Sequence, residues 1–143
     1  MSKISTFLWY NTEAPQAAAF YVSLFPDAEL LATDERSARF RLGGQLYVAF
    51  NGGDYFRLNP AVSIMVDCPT QAEIDSLWER LLAGGGQESR CGWLVDRFGL
   101  SWQVAPVALL AATIGSSDLQ KAQRSTAAMM TMTKLDIATL EKA

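Results

Sequence analysis

Few residues of this chain could carry out chemistry, because the sequence contains no histidine. Histidine is the usual general base and a common metal ligand at neutral pH, so its absence removes the simplest catalytic arrangements. Cys91 could act as a nucleophile, but Arg90 is the only cation adjacent to it, so we expect a buried structural cysteine. Asp34 and Asp96 are expected to be solvated turn charges. The predicted strands carry no pair of carboxylates on one face that would indicate acid–base catalysis.

Gln103 is the most informative polar residue, since it lies in a predicted strand between Trp102 and Val104. An unpartnered amide there would cost about 1–3 kcal/mol. It therefore either forms a hydrogen bond to the neighbouring module or orients a ligand, and both alternatives stay open. Alternation along a strand places Ser101 on the face of Gln103, and Leu100, Trp102 and Val104 on the face toward the helices.

A small-molecule site is predicted from this alternation. Gln103 and Ser101 form its floor, and Trp9, Phe50 and Trp93 are candidate apolar walls around a ligand that bears one polar group. Aromatic residues at strand positions usually pack in the core, which is the competing interpretation of all three. The position of Trp9 depends on the exact register of the first strand.

An internal repeat supplies the elements that position these residues. The segment Thr6–Tyr10, a turn and the apolar run 20–25 recur 57 residues later, without a gap, as Ser63–Asp67, a turn and the run 77–82. Each copy has the pattern of a strand followed by an amphipathic helix and then three strands. The sequence therefore predicts an α+β fold in which two βαβββ modules form a concave mixed β-sheet.

The predicted boundaries divide one domain, 1–143, into module one at about 4–51, module two at about 61–105 and a helical tail at about 106–143. Asn11 or Thr12 is expected to cap the first helix, and residues 70–73 form a capping box for the second. Gly43 and Gly44 predict a tight hairpin. The eight strands are predicted at 4–10, 29–33, 38–42, 45–50, 61–67, 87–93, 94–96 and 100–104. The tail helices are predicted at 107–113, 117–131 and 135–142.

Composition excludes several classes of partner. Twelve Lys and Arg residues face fifteen Asp and Glu, a net charge of -3, and no basic block is present to bind nucleic acid. The longest strongly apolar stretch, 107–112, is too short to span a bilayer, so no membrane association is expected. Two cysteines and the lack of a leader pattern predict a cytoplasmic protein with reduced thiols.

The doubled unit, Phe20 and Tyr21 in the first helix, and a last strand after the turn from Asp96 to Gly99 resemble the vicinal oxygen chelate superfamily. That superfamily contains glyoxalase I, bleomycin resistance proteins and extradiol dioxygenases. The turn at 51–53 and the segment 91–104 are similar to the PhnB-like subgroup, which is often labelled "3-demethylubiquinone-9 3-methyltransferase" domain. The resemblance covers nearly the whole chain.

The resemblance implies metal ligands on the first and fourth strands of each module. These positions fall near Ser5, Val48, Ala61 and Gln103, and neither they nor their immediate neighbours are carboxylates or imidazoles. We therefore expect no metal and no cofactor. The glycines at 84–86 follow a predicted helix instead of preceding one, which argues against methyl transfer.

These observations favour metal-independent binding of a small molecule, in the manner of bleomycin resistance proteins, with no catalytic residues assigned. One alternative is a lyase or isomerase whose metal site is misaligned, or one that uses Gln103, Cys91 and Tyr55 without a metal. Another is a structural or interaction protein whose cleft is filled by its own aromatic residues. A homodimer is expected, with the tail helix near 118–131 packing between subunits or exchanged between them.

Overall fold

The computed structural model describes residues 3–143, which divide into two compact units at the boundary between Asn59 and Pro60. Each unit contains a βαβββ module that forms its own four-stranded mixed sheet, and a helical tail follows the second module. The α+β fold predicted from the sequence is confirmed. Within the described residues, no helix is both long enough and apolar enough to cross a membrane.

The sheet of the first unit contains one parallel strand pair. In the sheet order β1-β4-β3-β2, β1 runs parallel to β4 and the other pairs are antiparallel. Gly43 has φ +58 in the β3–β4 hairpin, a conformation that glycine adopts at no steric cost. The elements are β1 Thr6–Tyr10, α1 Ala14–Leu24, β2 Ala28–Thr33, β3 Ser37–Leu42 and β4 Gln45–Asn51.

The start of α1 differs from the prediction that Asn11 or Thr12 caps it. The N-cap residue is Glu13, whose side chain makes no capping bond. Instead the Oδ1 atom of Asn51, at the end of β4, accepts a hydrogen bond from the Ala14 amide at 2.7 Å. Its Nδ2 atom donates to the Thr12 carbonyl at 3.1 Å. The prediction was wrong because the cap comes from a residue 37 positions away in sequence.

One face of the first sheet packs against α1. Tyr21 of α1 is fully buried, and its hydroxyl lies 2.9 Å from that of Tyr10. The Phe40 ring stacks on Tyr47 at 5.2 Å and contacts Tyr21 at 6.1 Å. Because side chains alternate along each strand, Trp9, which is next to Tyr10, and Phe50, which is three residues after Tyr47, lie on the opposite, open face.

The second unit repeats this arrangement with shorter outer strands. Its sheet order is β5-β8-β7-β6, with β5 parallel to β8. The strand predicted over 87–93 is reduced to two residues because residues 89–92 form a turn, in which Cys91 has φ +58 and Gly92 φ +84. The elements are β5 Ser63–Asp67, α2 Gln71–Leu82, β6 Gln87–Glu88, β7 Trp93–Val95, β8 Ser101–Ala105, α3 Val107–Thr113, α4 Leu119–Met130 and α5 Ile137–Lys142.

The cap predicted for α2 is present. The Thr70 hydroxyl oxygen accepts from the Glu73 amide at 3.2 Å, as expected for the first half of a capping box. The reciprocal half differs from the prediction, because the Glu73 carboxylate accepts from the Thr70 hydroxyl at 3.1 Å and not from the Thr70 amide. The side chains of the motif therefore bond to each other, and the local sequence was sufficient to locate this helix start.

The repeat is not free of gaps, contrary to the sequence reading. The 57-residue spacing holds in the helices, where buried Tyr21 corresponds to buried Trp78. In the first strands it matches Leu8, which is 3% exposed, with Met65, which is 52% exposed. The residue that corresponds to Leu8 is instead Ile64, which pairs with the buried Trp102 of β8. An odd shift exchanges the two faces of a strand, so the repeat slips by one residue here.

The tail folds back onto its own unit. The amides of Cys91 and Gly92 donate to the carbonyls of Met132 and Thr133 at 2.9 and 2.8 Å. Gln71 of α2 donates through Nε2 to the Leu135 carbonyl and accepts through Oε1 from the Ile137 amide. We call residues 132–137, which make these contacts, the strap.

Candidate functional site

The open face of the second sheet carries three of the predicted site residues. Gln103 of β8 lies between Met65 of β5 and Trp93 of β7 in the strand register, and Ser101 lies between Ser63 and Val95. The intervening residue Trp102 is fully buried on the opposite side of the sheet. The structure therefore brings Gln103, Ser101 and Trp93 together on neighbouring strands.

The Gln103 amide is anchored at one end only. Its Nε2 atom donates to the Ser63 hydroxyl at 2.9 Å. This partner lies on the adjacent strand of the same sheet, so the alternative of a hydrogen bond to the neighbouring module is not what the structure has. Within residues 3–143 the Oε1 atom of Gln103 has no hydrogen-bond partner. The amide is thus held in place with its acceptor oxygen available to another molecule.

Ser101 presents a polar atom that the protein itself does not satisfy. The residue is 1% exposed, and its hydroxyl oxygen has no hydrogen-bond partner among the described residues. A buried hydroxyl in this state costs about 1–3 kcal/mol. Ser101 lies on the same face of β8 as Gln103, two residues along the strand.

The other two predicted residues lie in the first unit, in what we call the aromatic cluster of Phe7, Trp9, Phe50 and Phe56. The ring of Trp9 lies 5.6 Å from Phe50 and 5.1 Å from Phe56, and Phe7 lies 5.6 Å from Phe50. The Trp9 indole donates to the Gly53 carbonyl at 2.9 Å, which fixes its orientation. The structure therefore joins Trp9 and Phe50 in one group and Trp93, Ser101 and Gln103 in another.

Asp96 is a buried carboxylate, contrary to the expectation of a solvated turn charge. It is 3% exposed. Its Oδ1 atom accepts from the amides of Phe98 and Leu100, and its Oδ2 atom accepts from the Trp102 indole at 2.8 Å. In the sequence, the only sign of this contact was that the aspartate precedes the tryptophan by six residues, across a predicted turn. Asp96 holds the β7–β8 turn and orients Trp102 beneath the site.

The two cysteines have different environments. Cys68 is 4% exposed, and burial, followed by the charges of Glu73 and Asp67, raises its pKa to about 11. Cys91 is half-buried, not buried as expected, and its sulfur lies 3.8 Å from that of Met130. Burial and the two carboxylate charges disfavour the Cys68 thiolate, so Cys68 is not activated as a nucleophile.

The residues do not fit a metal ion of the kind that the resemblance implies. Between residues 3 and 143 no three Cys, Asp or Glu side chains converge in a way that could hold an ion. Val48 and Gln103 occupy the fourth strands of their modules, and Ser5 and Ala61 precede the first strands. None of these four side chains is an anionic donor.

The structure also lacks the loop that methyltransferases use for their cofactor. The connections from β1 to α1 and from β5 to α2, residues 11–13 and 68–70, contain no glycine. The glycines at 84–86 follow α2, and Gly84 has φ +80 as in a helix C-terminal cap. No glycine-rich backbone therefore meets a helix N-terminus in either module.

Comparison with known proteins agrees with this fold. The chain is similar to a putative 3-demethylubiquinone-9 3-methyltransferase, PhnB protein, from Bacillus cereus, with 30% identity over 73% of this chain and 98% of that one and a TM-score of 0.65. The fosfomycin resistance protein FosX from Listeria monocytogenes shares the fold at 17% identity, with 73% and 91% covered and a TM-score of 0.56. A glyoxalase-related enzyme from Fulvimarina pelagi does so at 16% identity, with 73% and 88% covered and a TM-score of 0.53.

None of the curated proteins with which the sequence was compared matches it. The model of one protein family, described as "3-demethylubiquinone-9 3-methyltransferase", matches residues 2–105. The tail from Pro106 onward lies outside that match. Since the match spans both modules, this chain belongs to the PhnB-like 3-demethylubiquinone-9 3-methyltransferase family.

Proposed function

We propose that this chain binds a small molecule without a metal ion, on the open face of its second sheet. The observation that carries the proposal is the pair of unused polar atoms, the buried Ser101 hydroxyl and the Gln103 Oε1 atom. Buried polar groups in native proteins are nearly always satisfied, so the unsatisfied Ser101 hydroxyl supports a bound molecule that completes it, and the Gln103 Oε1 atom on the same face offers that molecule an acceptor.

The two atoms define the polar part of the ligand. Gln103 Oε1 requires a donor, and the Ser101 hydroxyl can donate or accept. A hydroxyl or amide of the ligand satisfies both. Trp93 and Met65 flank Gln103 in the register, and Met65 is 52% exposed, so the remainder of the ligand is apolar.

Native mass spectrometry of freshly purified protein tests this proposal, because it reports the subunit number, bound metal and a retained ligand together. Replacing Gln103 with Leu should leave the fold intact and remove the mass of a retained ligand. The matched control is Gln45→Leu, on an exposed residue at the start of β4 in the first sheet. Retention of the ligand mass by the Gln103 variant, or one metal ion per subunit in the unaltered protein, would refute the proposal.

Ser101→Ala provides a second test. Without a ligand this variant removes an unsatisfied hydroxyl, so its free energy of unfolding should rise by about 1 kcal/mol in urea denaturation. Binding of the retained ligand should weaken in the same variant. Lower stability together with unchanged binding would show that the hydroxyl has a partner inside the protein.

We further propose that the chain forms a homodimer through α4. The tail packs on its own unit through Leu135 and Leu140, which are 1% and 0% exposed, so deletion of the tail would also remove core residues. On α4, Leu119 remains 74% exposed beside an open groove of about 430 Å³ lined by small residues such as Ala122 and Ala127. Two copies of α4 related by a two-fold axis could each place Leu119 in the groove of the other.

Light scattering of Leu119→Glu tests this assembly. The variant should have the mass of one subunit where the unaltered protein has the mass of two, and Gln120→Glu, one residue along the same helix, should keep the dimer. An unchanged mass in the Leu119 variant would refute the interface.

A cytoplasmic location is also part of the proposal. Cys68 and Cys91 are both free, as in proteins of a reducing compartment. Recovery of the native protein outside the cytoplasmic fraction of its host would contradict it.

A further inference from the structure

Arg39 is the cation on the open face of the first sheet that lacks a counterion. It lies in the middle of β3, is exposed, and makes no hydrogen bond, ion pair or ring contact with the described residues. Arg41, two positions along the same face, pairs with Glu29 at 3.1 Å and also donates to the carbonyls of Asp27 and Gly43. The face therefore carries one neutralised guanidinium and one that is free.

The lateral neighbours of Arg39 are apolar. In the strand register Arg39 lies between Ala32 of β2 and Val48 of β4, and Val48 in turn pairs with Phe7 of β1. With neighbouring strands about 4.8 Å apart, Phe7 lies about 10 Å from Arg39 across Val48. Phe7 is 58% exposed and belongs to the aromatic cluster through its contact with Phe50.

We propose that this face binds small organic anions, in which a carboxylate or another oxyanion is held by Arg39 and an apolar or aromatic body lies on Val48 and the aromatic cluster. The planar guanidinium offers a fork of donors that matches such oxygens, and the ring faces contribute apolar area. No carboxylate side chain of the face competes, since Glu29 is engaged by Arg41. The inference goes beyond the proposed function because it concerns the other sheet, and its outcome does not depend on Gln103.

Two fluorescent dyes of similar shape test the proposal. Anilinonaphthalene sulfonate carries one negative charge, and phenylnaphthylamine is its neutral counterpart. The unaltered protein should bind the anionic dye more tightly, and the difference should shrink as salt is added. In Arg39→Gln the affinity for the anionic dye should fall about tenfold, as expected for one charge-assisted contact, with little change for the neutral dye.

Matched variants separate this site from general charge and from other apolar surfaces. Arg36→Gln removes the same charge in the β2–β3 turn and should leave both dyes unaffected. Phe7→Ala should weaken both dyes, and Leu119→Ser, at the groove on α4, should weaken neither. Far-UV circular dichroism should show that every variant is folded.

Competition identifies the kind of anion. Displacement of the anionic dye by benzoate, but not by inorganic phosphate at equal concentration, would assign the site to aromatic carboxylates, and the reverse would assign it to phosphate groups. Failure of both to compete, equal losses in Arg39→Gln and Arg36→Gln, or equal affinity of the unaltered protein for the two dyes would overturn the proposal.

Discussion

The Oδ2 atom of Asp96 accepts a hydrogen bond from the indole of Trp102 at 2.8 Å, and both residues are buried. The other carboxylate oxygen holds two backbone amides of the β7–β8 turn. This single side chain joins the turn to the residue that lies between Ser101 and Gln103. The floor of the proposed site therefore depends on a carboxylate that does not face it.

Replacing Asp96 with Ala should lower the free energy of unfolding by about 3 kcal/mol, because a buried indole and two amides lose their acceptor. Asp34→Ala is the matched control, since Asp34 accepts from two turn amides in the same way but is exposed. It should cost about 0.5–1 kcal/mol because water replaces the carboxylate. Urea denaturation measures both values. Equal losses at the two positions would contradict the role given to burial.

The strap should detach from α2 when Gln71 is replaced with Ala, because both side-chain bonds to the Leu135 carbonyl and the Ile137 amide are lost. Lys134 lies within the strap, so its cleavage by trypsin reports this opening. We expect cleavage to accelerate about tenfold, corresponding to about 1.4 kcal/mol. Gln120→Ala on the exposed side of α4 should leave the rate unchanged. Equal rates in the two variants would show that the strap is held elsewhere.

The two thiols should differ in reactivity toward an alkylating reagent at mildly alkaline pH. Half-buried Cys91 should react in the native protein, whereas Cys68 should react only on unfolding. Mass spectrometry of peptides measures the extent at each position. Fast modification of Cys68 in the folded protein would contradict the burial that raises its pKa.

Cys68 also makes stability depend on pH. Because its pKa is raised from 9.0 to about 11 in the folded state, the folded protein holds this proton while the unfolded chain releases it. The contribution is present below pH 9 and is lost as pH rises toward 11. Cys68→Ala should therefore show a smaller decline in unfolding free energy over this interval than the unaltered protein.

Gly92 and Gly99 both have positive φ but differ in their surroundings. A Cβ atom at Gly92 would lie 2.9 Å from the Val104 carbonyl oxygen and 3.0 Å from Leu135, whereas one at Gly99 meets nothing within 4 Å. Gly99→Ala should cost about 1–2 kcal/mol for its backbone conformation. Gly92→Ala should cost about 2–4 kcal/mol, since steric overlap adds to that conformational term. Thermal denaturation of the two variants checks the difference.

The sequence was sufficient for features whose signals are local. Strand alternation, the apolar stripes of the helices and the Thr70 cap each depend on neighbours within a few residues, so the doubled βαβββ unit and its tail helices were predicted close to their observed bounds. Alternation also placed Ser101 and Gln103 on the face opposite Trp102. The lack of anionic donors at the strand positions implied by the resemblance was likewise visible in the residue types alone.

Only the tertiary structure decided which distant groups meet. Asn51 caps α1 from the end of another strand, and Asp96 finds its indole partner only once the turn has folded. The sequence did not reveal the one-residue slip in the first strand of the repeat, because the 57-residue spacing fits the helices. In a strand, a shift by an odd number of residues exchanges the two faces. Glu29 neutralises Arg41 and leaves Arg39 without a counterion because pairing across strands fixes these distances, which linear order does not encode.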